Sequence, residues 1–127
     1  MPTILLVDDD DSVRSSTSRL LARAGYTVLE ARSAREARAR WAAAHQDIAL
    51  LLTDQGLGDG DGVELLNALR ADRAQLPVIL YSGHDAGSLQ GDGGLPPDVH
   101  LLGKPFTRAD LVAIVSTALT GTLPSPD

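Results

Sequence analysis

"ILLVDDDDSVR", residues 4–14, passes from an apolar run straight into four consecutive aspartates. Ile4–Val7 has the length and branched side chains of a buried strand, and helical spacing begins just after the acidic run, at Val13. The carboxylates therefore sit at the carboxyl end of a strand. In open α/β sheets that edge is where ligands bind.

The same alternation continues along the chain. Further strands are expected at Tyr26–Leu29, Ile48–Thr53, Val78–Tyr81 and Val99–Leu102. Between them, Val13, Thr17, Leu20, Leu21 and Ala24 fall at helical spacing, as do Ala34, Ala37, Trp41 and Ala44. Leu65, Leu66 and Leu69 repeat the pattern, and so do Leu111, Ile114, Val115, Ala118 and Leu119. Ser33 with Glu36, Asp61 with Glu64 and Thr107 with Asp110 are helix-start pairs, and Gly25 is a helix stop. Strands that alternate with helices argue for an α/β fold. A five-stranded parallel sheet of flavodoxin-like type is expected, in the order 2-1-3-4-5 with helices on both faces. The segment "GHDAGSLQGDGGLPPD", residues 83–98, carries five glycines and two prolines, so a fourth helix there would be short or irregular. One domain over residues 1–121 with a flexible tail at 122–127 is the expected organisation.

Composition narrows the function. Seventeen acidic against eleven basic residues give a net charge of -6, which offers no general attraction to nucleic acid or anionic lipid. The chain has no cysteine, which excludes disulfides and thiolate metal sites and fits a cytoplasmic setting. No apolar run reaches the roughly 20 residues of a membrane span, and no signal-peptide start precedes Asp8.

The strand ends carry the candidate chemistry. Asp8, Asp9, Asp10 and Asp11 follow the first strand, Asp54 the third, Ser82 the fourth and Lys104 the fifth. Clustered carboxylates repel one another unless a cation neutralises them. An all-oxygen donor set, with no histidine in those turns, points to Mg²⁺. Successive side chains leaving a strand point in alternate directions, so at most two of the run are expected to face one ion, and Asp8 and Asp9 are assigned to it. Asp11, with Asp10 as the alternative, is expected to cap the first helix. Lys104 is the single lysine beside ten arginines, and its compact ammonium suits one phosphoryl oxygen. Ser82 has a hydroxyl able to bond a phosphoryl group. His84 reads as a solvated loop residue and Trp41 as packing. Arg32, Arg35 and Arg38 read as a solvated face, or as a dock for an acidic partner.

Taken together, "ILLVDDDD", "LLLTDQGLGDGDGVELL", "LPVILYSG" and "LLGKPF" resemble the receiver domain of bacterial response regulators, the CheY-like family, over nearly the whole chain. The resemblance implies that Asp54 is the phosphoacceptor and that Asp8, Asp9, Asp54 and a backbone carbonyl of Gly56 hold Mg²⁺. It also implies that Ser82 and Lys104 contact the phosphoryl group. The implied partners are a histidine kinase or histidine phosphotransfer protein and a downstream effector protein, with a phosphorylation-dependent dimer as a further form. No direct nucleic-acid contact or membrane insertion is implied. Parts of the chain also look like receivers attached to hybrid sensor kinases. On this reading the chain is not an enzyme in the turnover sense, since it catalyses only its own phosphorylation and dephosphorylation.

Three positions depart from the family pattern. Gly58 stands where a proline is usual, which implies a more flexible loop. Leu101 replaces a common aromatic, and the glycine-rich stretch replaces a firm fourth helix. Two rival readings are a Mg²⁺-dependent phosphohydrolase of haloacid dehalogenase type, with Asp8 as nucleophile and Asp10 as general acid, and a phosphorylation-independent pseudo-receiver.

Overall fold

The computed structural model describes residues 2–82, 98–103 and 106–120, with Ser82 described by its backbone alone. In chain order the elements are β1 (Thr3–Val7), α1 (Asp11–Arg23), β2 (Thr27–Ala31), α2 (Ala34–Ala44) and β3 (Ile48–Asp54). They continue with β4 (Gly56–Leu57), β5 (Gly60–Asp61), α3 (Gly62–Arg70), β6 (Val78–Ser82), β7 (His100–Gly103) and α4 (Arg108–Thr120).

Strands β1, β2, β3, β6 and β7 form one parallel sheet in the order β2-β1-β3-β6-β7. This is the expected 2-1-3-4-5 order, because β4 and β5 form a separate antiparallel pair in the connection after β3. The central strands are apolar almost without interruption because both faces of the sheet are covered. Leu5, Val7, Leu51, Val78 and Leu80 pack with Trp41, Leu65, Leu66 and Leu69 under α2 and α3. Ile4, Leu6, Leu50, Leu52, Ile79 and Tyr81 pack with Leu21, Leu111 and Val115 under α1 and α4. Ile48 breaks the alternation by joining the α2/α3 side. The β1–β3 register slips by one residue between Thr3↔Ile48 and Ile4↔Leu50, and such a slip moves a side chain to the other face.

Helix ends follow the local chemistry. Ser33 accepts from the Glu36 N–H at 3.0 Å and Asp61 from the Glu64 N–H at 2.7 Å. Thr107 and Asp110 bond reciprocally, each side chain to the other's backbone N–H. Gly25 ends α1 with φ of 100°, a conformation that favours glycine. The cap of α1 is Asp10, which accepts from Ser12 and Val13 N–H at 2.9 and 3.1 Å. The expectation for Asp11 is thus corrected. Asp11 is the first helical residue and pairs with Arg14 at 2.6 Å. Trp41 is buried, donates its indole N–H to Asp72 at 2.9 Å and lies 5.3 Å from the Arg73 guanidinium, so it is a packing residue as expected. Arg32, Arg35 and Arg38 are exposed. The glycine-rich stretch, apart from Asp98, and the tail lie outside the described residues.

Candidate functional site

The turns after β1 and β3 are adjacent because their strands are hydrogen-bonded neighbours. Alternation then decides which side chains meet. Asp8 continues the face of Ile4 and Leu6, and Asp54 that of Leu50 and Leu52. Asp9, the next residue out, leaves the sheet in the turn and returns toward the same point. The carboxylates of Asp8, Asp9 and Asp54 each present an oxygen within 4.8 Å of the others. Asp8 is fully buried, Asp54 half-buried and Asp9 exposed, so the cluster opens to solvent on one side.

The carboxylates of Asp8 and Asp54 are both held by hydrogen bonds. In Asp8, one oxygen accepts from the Asp10 N–H at 2.9 Å and the other from the Tyr81 hydroxyl at 2.5 Å. The Asp8 carbonyl takes the Arg14 guanidinium at 2.9 Å. Arg14 also pairs with Glu30 at 3.2 Å, which ties the end of β1 to β2. In Asp54, Oδ1 accepts from the Gln55 N–H at 2.8 Å. Burial, followed by the hydrogen bond to Asp8, pushes the Tyr81 phenol well above its usual pKa, so it stays protonated and donates.

The loop after Asp54 is ordered by means the sequence did not advertise. Gly58 takes the place of a stiffening proline, yet β4 and β5 pair across it, Gly56 with Asp61 and Leu57 with Gly60. The Asp59 carboxylate reaches the amino end of α2 and accepts from the Ala34 and Arg35 N–H groups at 2.9 and 3.0 Å. Those two backbone donors hold its carboxyl below the usual carboxylate range. The Gly62 N–H donates to the Gln55 carbonyl at 2.7 Å and closes the loop. The loop in which Gly58 implied more flexibility is thus tied down at its tip by Asp59 and at its base by Gly62.

An all-carboxylate cluster of this span fits a hard divalent cation. Mg²⁺ takes one or two carboxylates directly and fills its remaining positions with water or phosphate oxygen. Asp8, Asp9 and Asp54 are brought together as expected, and Gly56 lies in β4, two residues beyond Asp54. Ser82 ends β6, in register with Gly103 of β7. Its side chain, Lys104 and His84 lie outside the described residues. Tyr81 and Asp59 are the residues sequence reasoning missed. Among the described residues no helix is long and apolar enough to cross a membrane.

The sequence model of the response regulator receiver domain matches residues 4–116. The chain belongs to that family. The response regulator receiver protein CpdR of Brucella abortus is 33% identical to this receiver over 112 residues, covering 88% of this chain and 92% of CpdR. The sensor kinase CckA of the same organism is 33% identical over 119 residues, covering 92% of this chain and 12% of the kinase. The receiver thus spans nearly all of CpdR and a small part of CckA. Among solved structures, the chemotaxis protein CheY4 of Vibrio cholerae superposes with a TM-score of 0.85 at 26% identity, covering 94% of this chain and 99% of that one. The receiver domain of the hybrid histidine kinase CckA gives 0.78 at 34% identity, covering 92% and 98%. The function of the chain is that of a phosphoacceptor receiver in a two-component system. Neither the phosphohydrolase nor the pseudo-receiver reading is favoured.

Proposed function

We propose that Asp54 is the carboxylate that accepts the phosphoryl group, and that Asp8 and Asp9 hold Mg²⁺ beside it with the Gly56 carbonyl as a further oxygen ligand. The observation that carries this reading is the convergence of three carboxylates from two neighbouring strands within 4.8 Å, open to solvent on one side. Asp54 is the member at the end of the central strand β3. Its Oδ1 is fixed by the Gln55 N–H, so the carboxylate is oriented before a donor arrives. Asp8 is the buried anchor, and Asp9 faces solvent.

The transfer balances simply. A carboxylate oxygen of Asp54 forms a bond to phosphorus while the phosphorus–nitrogen bond of a phosphohistidine breaks, and the imidazole, already protonated on its other ring nitrogen, leaves as neutral histidine. Bound Mg²⁺ supplies the positive charge that offsets the phosphoryl oxygens. Asp8 and Asp9 orient that charge, and Ser82 and Lys104, at the ends of β6 and β7, are proposed to bond the transferred oxygens. The product is an acyl phosphate bearing about 1.5 to 2 negative charges at a spot previously holding one. Such a local change of charge biases a two-state surface and so alters partner binding.

The donor is a histidine kinase or histidine phosphotransfer protein, and the readout is an effector protein in the cytoplasm. Similarity to both CpdR and the CckA receiver supports either a stand-alone protein or a kinase-borne module. The chain catalyses its own modification and does not turn over a free substrate. Incubation with a small phosphodonor and Mg²⁺, followed by weighing the intact chain, tests this. One phosphoryl adduct is expected on the wild type and none on a folded Asp54→Asn variant. Undiminished labelling of that variant would move the nucleophile elsewhere.

A further inference from the structure

Tyr81 is out of place in chemical terms. It occupies an interior position of the sheet, fully buried, on the face otherwise built from Ile4, Leu6, Leu50, Leu52 and Ile79. A buried phenol needs a hydrogen-bond partner, and an aliphatic residue would fill this position without that demand. The partner is the fully buried Asp8, whose Oδ2 accepts the phenol at 2.5 Å. The tyrosine reaches it from β6, with β3 lying between its strand and β1. Its backbone is fixed beside the candidate acceptor, because Tyr81 is in register with Asp54 and its carbonyl accepts the Gln55 N–H at 3.0 Å. Its ring is fixed by an edge contact with Phe106, centroids 5.9 Å apart and planes at 77°.

We infer that Tyr81 is a positioning residue for the divalent-cation site: its hydroxyl clamps the Asp8 carboxylate in the orientation that points it toward Asp9 and Asp54. The inference rests on the reading of Asp8 as a metal ligand. With Asp10 N–H on one oxygen and Tyr81 on the other, the Asp8 carboxylate is restrained about its terminal torsion from both sides. Partners of this kind around metal ligands typically contribute 10- to 100-fold in affinity. Removing the hydroxyl leaves a buried anion one donor short. The carboxylate then rotates or admits water, and must be re-ordered when the cation binds.

Tyr81→Phe keeps the ring and its contact with Phe106 while deleting the hydroxyl, and Mg²⁺ titrations followed by backbone amide NMR read the dissociation constant. The wild type is expected to bind Mg²⁺, and Tyr81→Phe to bind it about tenfold more weakly or worse. The second arm repeats the substitution in an Asp8→Asn background, where it is expected to change the constant less than twofold, because Tyr81 acts through Asp8. The same factor in both backgrounds would mean that the hydroxyl acts by a route other than Asp8, and would overturn the inference. The wild type enriched with ¹³C-tyrosine gives an independent readout. The Tyr81 Cζ resonance is expected to move as Mg²⁺ is added while that of Tyr26 stays put. An unchanged or tighter constant in Tyr81→Phe, or a stationary Tyr81 resonance, overturns the inference while leaving the metal site standing. A wild type that binds no Mg²⁺ overturns both.

Discussion

Gly62→Ala tests how tightly the loop after Asp54 is packed under the site. Gly62 opens α3, and a Cβ built there lies 2.6 Å from Leu80 Cδ1 and 3.2 Å from Thr53 Cγ2, and closer still to the backbone carbonyl of Asp54. The leucine methyl can yield by a change of rotamer. The carbonyl belongs to the end of a central strand and cannot. Forcing one extra carbon into such a site costs about 1 to 3 kcal/mol. The usual helical advantage of alanine over glycine offsets little of this, because Gly62 is the first helical residue. For 127 residues, an unfolding entropy of about 2.1 cal/mol/K per residue converts each kcal/mol into roughly 4 °C, so Tm should fall by roughly 4 to 11 °C. Thermal melts followed by fluorescence of the single tryptophan, the buried Trp41, provide the assay. Phosphoryl labelling should also slow, since the added carbon presses directly on the backbone of Asp54. Gly25→Ala is the control. Its cost is the positive φ of 100°, nothing lies within 4 Å of the added carbon, and labelling should be unaffected. A Gly62→Ala chain that melts with the wild type and labels at the same rate would refute the claim of close packing.

Two further perturbations read the electrostatics around this frame. Asp98 pairs with Arg70 at 2.9 Å, and that hydrogen bond holds its carboxyl below the usual carboxylate range, so its contribution is present above the unfolded-state pKa of about 4 and is lost as pH falls through the lower folded value. Asp98 is half exposed, so Asp98→Asn should lower stability at neutral pH by only about 0.5 kcal/mol, measured by urea unfolding, with the difference from wild type vanishing in strong acid. Asp59→Ala should lower Tm by a few degrees through the loss of two acceptors at the start of α2, and amide hydrogen exchange should quicken at Ala34 and Arg35. Unchanged exchange at those two amides would contradict the tether.

The sheet was legible because its signal is local and repeated. Ile4–Val7, Ile48–Thr53 and Val78–Tyr81 are short apolar runs between helix-period segments, and 2-1-3-4-5 is a common strand order for a five-stranded sheet of this kind. The acidic cluster was legible for the same reason, since Asp8, Asp9 and Asp54 directly follow two of those runs, at the sheet edge where this architecture binds ligands. Contacts between distant segments were not legible. Asp59 caps a helix that begins 25 residues earlier in the chain, and nothing near it announces that partner. Tyr81 reads as one more large core side chain until its hydroxyl is traced across the sheet to Asp8, 73 residues away. The choice between Asp10 and Asp11 as the α1 cap turns on a single residue of register, finer than composition resolves.

Locating the modified residue tests the central claim most directly. After incubation with a small phosphodonor and Mg²⁺, borohydride reduction of the acyl phosphate converts the acceptor side chain to an alcohol, which peptide sequencing by tandem mass spectrometry assigns to a position. The account expects that mark at Asp54 alone, dependent on Mg²⁺ and sharply reduced in Asp8→Asn. A mark at Asp8 or Asp9, or an Asp54 mark of equal intensity in excess chelator, would contradict it.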